Sequence, residues 1–107
     1  MKNIDSKQLA AEWLKRCQED FASAKIELKE AKNYTLVCFL CQQVAERYLK
    51  ACLMSNQKDY PKSHDLIKLL YLVSKINKDI LDYLEECKFL NPFYIDNRYP
   101  VFWGRPT

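Results

Sequence analysis

Gln43, Glu46, Arg47 and Lys50 interrupt an otherwise apolar stretch, YTLVCFLCQQVAERYLKACLM, at positions 34–54. Their spacing of i, i+3, i+4, i+7 puts them on one face of a helix. With Gln42 beside them they form a polar strip, which either meets solvent or lines a site. In a site its chemistry is recognition. Arg47 and Lys50 meet a phosphate or carboxylate, and Gln43 and Glu46 read polar edges. As the wet face of a helix the same residues need no ligand.

Two residues outside that stretch offer further chemistry. His64 is the sole imidazole of the chain and lies in PKSHDL. It either sits idle at a helix start, where Ser63 and Asp65 do the capping, or turns its ring to the polar strip. There it would serve as a general acid or base. No Ser or Cys stands in a recognisable relation to it as a nucleophile. Arg98 lies in YIDNRYP between Tyr94 and Tyr99. Stacked on those rings it can offer a planar fork to a phosphate, with Tyr99 stacking on a base. Alternatively it is a structural tie from the tail to Glu46 or Asp65. Cys38-x-x-Cys41 lacks the further ligands of a metal site and the preceding strand of a redox motif. Both thiols are therefore expected in the core, and no metal or cofactor is expected.

These residues need helices to position them. The 34–54 stretch has no Gly or Pro, and its apolar residues spread over most of a helical circumference, so it reads as a central helix covered on most sides. Asp5 or Ser6 caps a first helix running to about Lys32. Its seam is Ala10, Leu14, Cys17, Phe21, Ala24, Leu28 and Ala31, and its other faces, with Lys15, Arg16, Glu19 and Asp20, read as solvated surface. Lys32-Asn33 marks the turn into the central helix. After the loop SNQKDYPKSHD, a third helix spans 64–74, with Ser63 as its N-cap. Asn77 caps a fourth, with apolar face Ile80, Leu81, Leu84 and Cys87, ending near Leu90. Asn91-Pro92 starts one short turn. The aromatic, Pro-containing tail 91–107 folds back onto the bundle or onto a second copy. The expected fold is all-α: an up-and-down four-helix bundle with a short extra helix or turn in the tail.

The totals agree with that picture. At 107 residues the chain suits one domain, 1–107, with one core. A single Gly argues against Gly-rich phosphate loops, and a formal charge of +3 permits an anionic partner without demanding one. There is no signal-peptide pattern and no apolar run of about 18 residues to span a membrane. Five cysteines, an odd number, are best read as reduced thiols in a cytoplasmic protein.

Three segments, CFLCQQVAERYLKACL, PKSHDLIKLL and FYIDNRYP, occur in order at ordinary distances. Together they resemble the HEPN domains of prokaryotes. The matching residues are Gln42, Gln43, Glu46, Leu49 and Lys50, then His64, Asp65 and Leu66, then Tyr94, Arg98, Tyr99 and Pro100. The resemblance implies a helical bundle, often a homodimer, that binds nucleotides. In some members the partner is a minimal nucleotidyltransferase within a toxin–antitoxin pair. Many members are metal-independent ribonucleases in which Arg is followed a few residues later by His. Here Lys58, not Arg, precedes His64 at that spacing, so enzyme activity is not the leading expectation. The leading expectation is a module binding a nucleotide or RNA phosphate, a partner nucleotidyltransferase, or both. The residues expected to line its groove are Gln43, Glu46, Arg47, Lys50, His64, Asp65, Tyr94, Arg98 and Tyr99. The alternatives are a ribonuclease using His64 and Arg98, and a scaffold that only binds its partner. The family usually continues into another long helix after RYP, and here the tail aromatics or a second copy would cover that gap.

Overall fold

The computed structural model describes residues 5–94. Arg98, Tyr99 and most of the aromatic tail lie outside the described residues. Four α-helices run up and down: α1 (Ser6–Ile26), α2 (Tyr34–Ser55), α3 (Leu66–Ser74) and α4 (Leu84–Leu90). No strand occurs among the described residues.

The starts of α1, α2 and α3 are each fixed by a side chain that satisfies an orphan backbone donor. Asp5 accepts from the Lys7 N–H at 3.1 Å, and Asn33 accepts from the Leu36 N–H at 3.1 Å. α1 ends in a π-helical turn, Glu27–Ala31, and Lys32 then adopts a left-handed conformation with φ 57°. Its N–H donates to the Glu27 carbonyl at 2.7 Å, closing the helix. With Asn33 capping the next helix immediately, α1 and α2 form a tight antiparallel hairpin.

Small residues hold that hairpin together. Ala10, Cys17 and Ala24, spaced seven apart, are all nearly inaccessible. The intervening members of the expected seam are not covered: Leu14, Phe21 and Leu28 keep 36%, 49% and 47% of their surface exposed. α1 packs mainly against α2, so only the positions facing α2 can be buried.

α2 also departs from the expectation that most of its sides are covered. Tyr34 and Tyr48 are exposed, and Cys38 and Cys41 are only half-buried. The reason is length. α2 has 22 residues and α3 and α4 have nine and seven, so at about 1.5 Å per residue the later helices are less than half as long. They cover its C-terminal half, where the main core forms from Leu49, Leu53, Leu66, Leu69, Leu70, Val73 and Cys87. A smaller cluster joins Ala10 of α1 to Ala51 and Met54 of α2, beneath Trp13 and Tyr60. All five thiols are free, and each has its pKa raised, chiefly by burial.

Two boundaries differ from expectation. α3 starts at Leu66 and is capped by Asp65, not Ser63. Asp65 Oδ1 accepts from the N–H groups of Ile67 and Lys68, while Ser63 Oγ accepts from the Asp65 N–H. His64 is thus in the loop before the helix. The fourth helical segment opens as a 3₁₀ stretch, Lys78–Tyr83, capped by Asn77, before α4 proper. A last 3₁₀ turn spans Asn91–Phe93, with Pro92 near its start.

Candidate functional site

The polar strip of α2 divides into two rows. Gln42, Glu46 and Lys50, spaced four apart, form an inner row, and all three are buried. Gln43 and Arg47 form an outer, half-buried row. The inner row is the C-terminal part of a ridge that α3 and the preceding loop close over, which is why polar groups are buried there.

Burial of such groups is costly unless their hydrogen bonds are met. Here they are met from several elements. Lys50 Nζ donates to Glu46 Oε2 at 2.9 Å, with both side chains about a tenth exposed. His64 Nδ1 lies 3.0 Å and 3.1 Å from the two carboxylate oxygens of Glu46. The Gln42 side-chain amide donates to Glu46 Oε1 at 3.4 Å and to the main-chain carbonyl of His64 at 3.1 Å. Gln43 donates to Gln42 Oε1 at 2.8 Å. No buried side-chain polar atom among the described residues lacks a partner.

This arrangement fixes the imidazole. A carboxylate only accepts, so a neutral His64 must carry its proton on Nδ1, leaving Nε2 as an acceptor. Tyr94 stacks on the ring at 4.9 Å with the planes 22° apart. The His64 side chain remains 50% exposed, so its second nitrogen can be reached by a ligand. Glu46 and Gln42 therefore hold both the ring and the backbone of His64 while leaving one edge open.

The outer row faces α1 across an open groove of about 680 Å³. Gln43, Glu46, Arg47 and Lys50 form one wall, and Glu12, Trp13, Lys15, Arg16 and Glu19 of α1 form the other. Arg47 is tied across the helix pair to Asp20. Lys50 also lies over the Tyr60 ring at 5.4 Å, and Tyr60 in turn abuts Trp13 at 5.2 Å. A chain of contacts thus runs from Trp13 through Tyr60, Lys50 and Glu46 to His64.

Of the residues singled out in the sequence, Gln43, Glu46, Arg47, Lys50, His64 and Tyr94 come together in this region. Asp65 is occupied elsewhere: besides capping α3, its carboxylate accepts from Asn91 Nδ2 at 3.0 Å. Lys15, Arg16 and Glu19 are exposed, as expected of a solvated face, and they also line the groove opposite the strip. Asp20 departs from that reading: it is half-buried and pairs with Arg47. Trp13 and Tyr60 were not singled out by sequence. Trp13 stands three residues after Ala10, at the edge of the buried seam, and that position was its available signal. Among the described residues no group of three or more His, Cys, Asp or Glu side chains is placed to hold a metal ion. Among them, too, no helix is long and apolar enough to cross a membrane.

Neither a curated protein nor a solved structure matches the chain. Comparison with protein families matches residues 10–106 to the HEPN domain, which takes in both walls of the groove, the His64 loop and the RYP segment. With its all-α bundle and nearly its whole length covered, this chain belongs to the HEPN domain family.

Proposed function

We propose that this HEPN domain binds the phosphate of a nucleotide or of RNA along the polar flank of α2. The observation that carries the reading is the placement of a buried Glu46–Lys50 pair on the wall of an open groove. Charged groups are rarely held so far from water unless the surrounding network serves a purpose beyond stability. Arg47 has one N–H directed at Asp20 and keeps others for a ligand oxygen. Arg98 and Tyr99, which follow the described residues, would supply a phosphate fork and a stacking ring.

The test is thermal unfolding of the reduced protein with a panel of nucleotides and short RNAs, beside Arg47→Ala and Arg98→Ala. A ligand held only by the folded state stabilises it by about 2.7 kcal/mol at a hundredfold excess over its dissociation constant. The expected result is a raised midpoint that either substitution diminishes. An unchanged midpoint with every ligand rejects the reading.

The Glu46–His64 contact favours a second reading, metal-independent RNA cleavage. In it His64 Nε2 takes the proton of an attacking 2′-hydroxyl, whose oxygen bonds to phosphorus to give a 2′,3′-cyclic phosphate; the phosphorus–5′-oxygen bond breaks, the leaving 5′-oxygen takes a proton from water, and Arg98 would stabilise the phosphorane-like transition state. Cleavage of a labelled RNA in chelator, abolished in His64→Ala, is its required result. Intact RNA with the parent protein removes it.

A further inference from the structure

We infer that α1 reads the base in this groove, with Trp13 as its stacking platform and Arg16 as its phosphate contact, and that the groove takes a single nucleotide. The inference rests on the groove being a nucleotide site, and it names the wall and the ligand class that the polar strip leaves open.

Three observations carry it. The first is the unequal pairing of the cations. On the α2 wall, Lys50 is paired with Glu46 and Arg47 with Asp20. On the α1 wall, Lys15 and Arg16 are exposed and pair with no described residue. Glu12 and Glu19 stand four residues from Arg16 and Lys15 respectively, a spacing that permits pairing, yet neither pair is closed. The unpaired cations of the groove are therefore on α1, beside two equally unpaired carboxylates, Glu12 and Glu19.

The second is Trp13. It is half-buried, tilted against Tyr60 at 5.2 Å and packed on the Ala10–Ala51–Met54 cluster, and it lines the groove. An aromatic ring held by its neighbours at the margin of an open groove can serve as a sequence-tolerant platform for a base. It stands one helical turn from Arg16, so a base on the indole brings its phosphate toward the guanidinium. Opposite, Gln43 donates its amide N–H to Gln42, and its carbonyl oxygen has no partner among the described residues. That acceptor suits an exocyclic amino group, as on adenine.

The third is length. The α1 wall runs from Glu12 to Glu19, about 10 Å at 1.5 Å per residue. That holds one nucleotide. A longer strand would carry its next phosphates past Glu12 or Glu19, where like charge opposes them.

The decisive measurement is Trp13 emission in a Trp103→Phe background, where Trp13 is the sole tryptophan. Adenosine 5′-monophosphate, ribose 5-phosphate and a short single-stranded RNA are titrated. Calorimetry on Trp13→Leu, Trp13→Phe and Arg16→Ala runs alongside. The expected result is saturable quenching by the mononucleotide and none by ribose 5-phosphate. Trp13→Leu weakens mononucleotide binding by about tenfold or more while ribose 5-phosphate binding persists, and Trp13→Phe restores most of the loss. Arg16→Ala weakens both ligands. Persistent ribose 5-phosphate binding also shows that Trp13→Leu remains folded. If the mononucleotide binds by calorimetry but leaves Trp13 emission and the Trp13→Leu affinity unchanged, the α1 assignment is overturned and the phosphate-binding reading stands. RNA binding far tighter than the mononucleotide overturns the single-nucleotide limit. If no ligand binds by any readout, the phosphate-binding reading itself fails, and this inference with it.

Discussion

On one flank of α2, Gln42, Glu46 and Lys50 are polar groups buried nearly out of reach of water, each matched by a hydrogen bond. On the other, Val44, Ala45, Tyr48 and Leu49 line an apolar hollow of about 510 Å³, with Phe21 and Tyr83 at its edge. There the exposed groups are hydrophobic: Phe21, Tyr48 and Tyr83 keep about half their surface in water. One helix thus buries its polar side and exposes part of its apolar side, the reverse of an amphipathic surface helix. The polar flank is closed by directional contacts that only one geometry satisfies. The apolar flank has no such demand, and an open apolar surface of this kind is a place where other surfaces dock.

The largest effect that would break this contrast comes from Glu46→Ala. It leaves Lys50 buried and unpaired and removes the anchor of His64. Removing one member of a buried pair typically costs about 3–5 kcal/mol, and denaturant unfolding should show a loss of that order. Glu46→Ala combined with Lys50→Met should recover part of it, because no unpaired charge then remains. A loss under about 1 kcal/mol for the single change would mean that water reaches Lys50 and that the polar flank is not closed.

Gln42→Leu is next. The side chain is fully buried and bridges Glu46 to the His64 carbonyl, so the substitution leaves that carbonyl without its donor and the Gln43 amide without its acceptor, while Glu46 keeps His64 and Lys50. The expected cost is about 1–3 kcal/mol. The imidazole resonances of His64 should shift as well, since the loop loses its tie to α2. A stability change without a change at His64 would sharpen the contrast differently, by making Gln42 a packing residue alone.

Much of this was legible in the sequence, and the exceptions have physical causes. Helix number and order, the Asp5 and Asn77 caps and the turn at Lys32-Asn33 followed from periodicity and local chemistry, while the Asn33 cap itself was seen only in the structure. The i, i+3, i+4, i+7 rule found the groove wall that Gln43, Glu46, Arg47 and Lys50 form together, but it does not tell which of the four are buried. It left Gln42 aside, although the spacing of four between Gln42, Glu46 and Lys50 also marks a ridge. Which ridge is buried depends on where α3 crosses, and a single chain's pattern does not state that. Cys38 and Cys41 were placed in the core on composition, yet the shortness of α3 and α4 leaves their end of α2 half open. The α1 wall was missed because Lys15, Arg16 and Glu19 look like any charged helix surface until the hairpin sets α2 beside them. Arg98 and Tyr99 carry the family resemblance but lie outside the described residues, so their convergence on His64 is a matter for the ligand experiments above.

On the apolar flank the effects should be smaller. Tyr83, at the edge of the hollow, is 58% exposed, and replacing it by Ser in an isolated chain should change stability by no more than about 0.5 kcal/mol. If a second copy covers this flank in solution, the cost should instead exceed that and grow with protein concentration, since association stabilises the folded state. Unfolding midpoints taken across a hundredfold range of concentration separate the two cases.

The smallest effect concerns the thiols, which sample both flanks of the hairpin. Burial raises the pKa of all five cysteines above the ordinary value of 9.0. The folded chain therefore keeps its thiol protons to higher pH than the unfolded chain does. The sign follows from linkage. The stabilisation is fully present below the unfolded thiols' pKa and is lost as pH rises through the higher folded values. Stability should thus hold up to about pH 8 and fall gradually above pH 9, with no acid limb from these groups. Alkylation at pH 8 should be slower for all five than for a free cysteine peptide, because only the thiolate reacts. Cys38, the least enclosed, should be modified first and Cys17 or Cys87 last. Fast modification of Cys41 relative to Cys38 would show that the hollow on the apolar flank is more open to water than its lining indicates, while strong protection of Cys41 would show that the hollow is covered in solution.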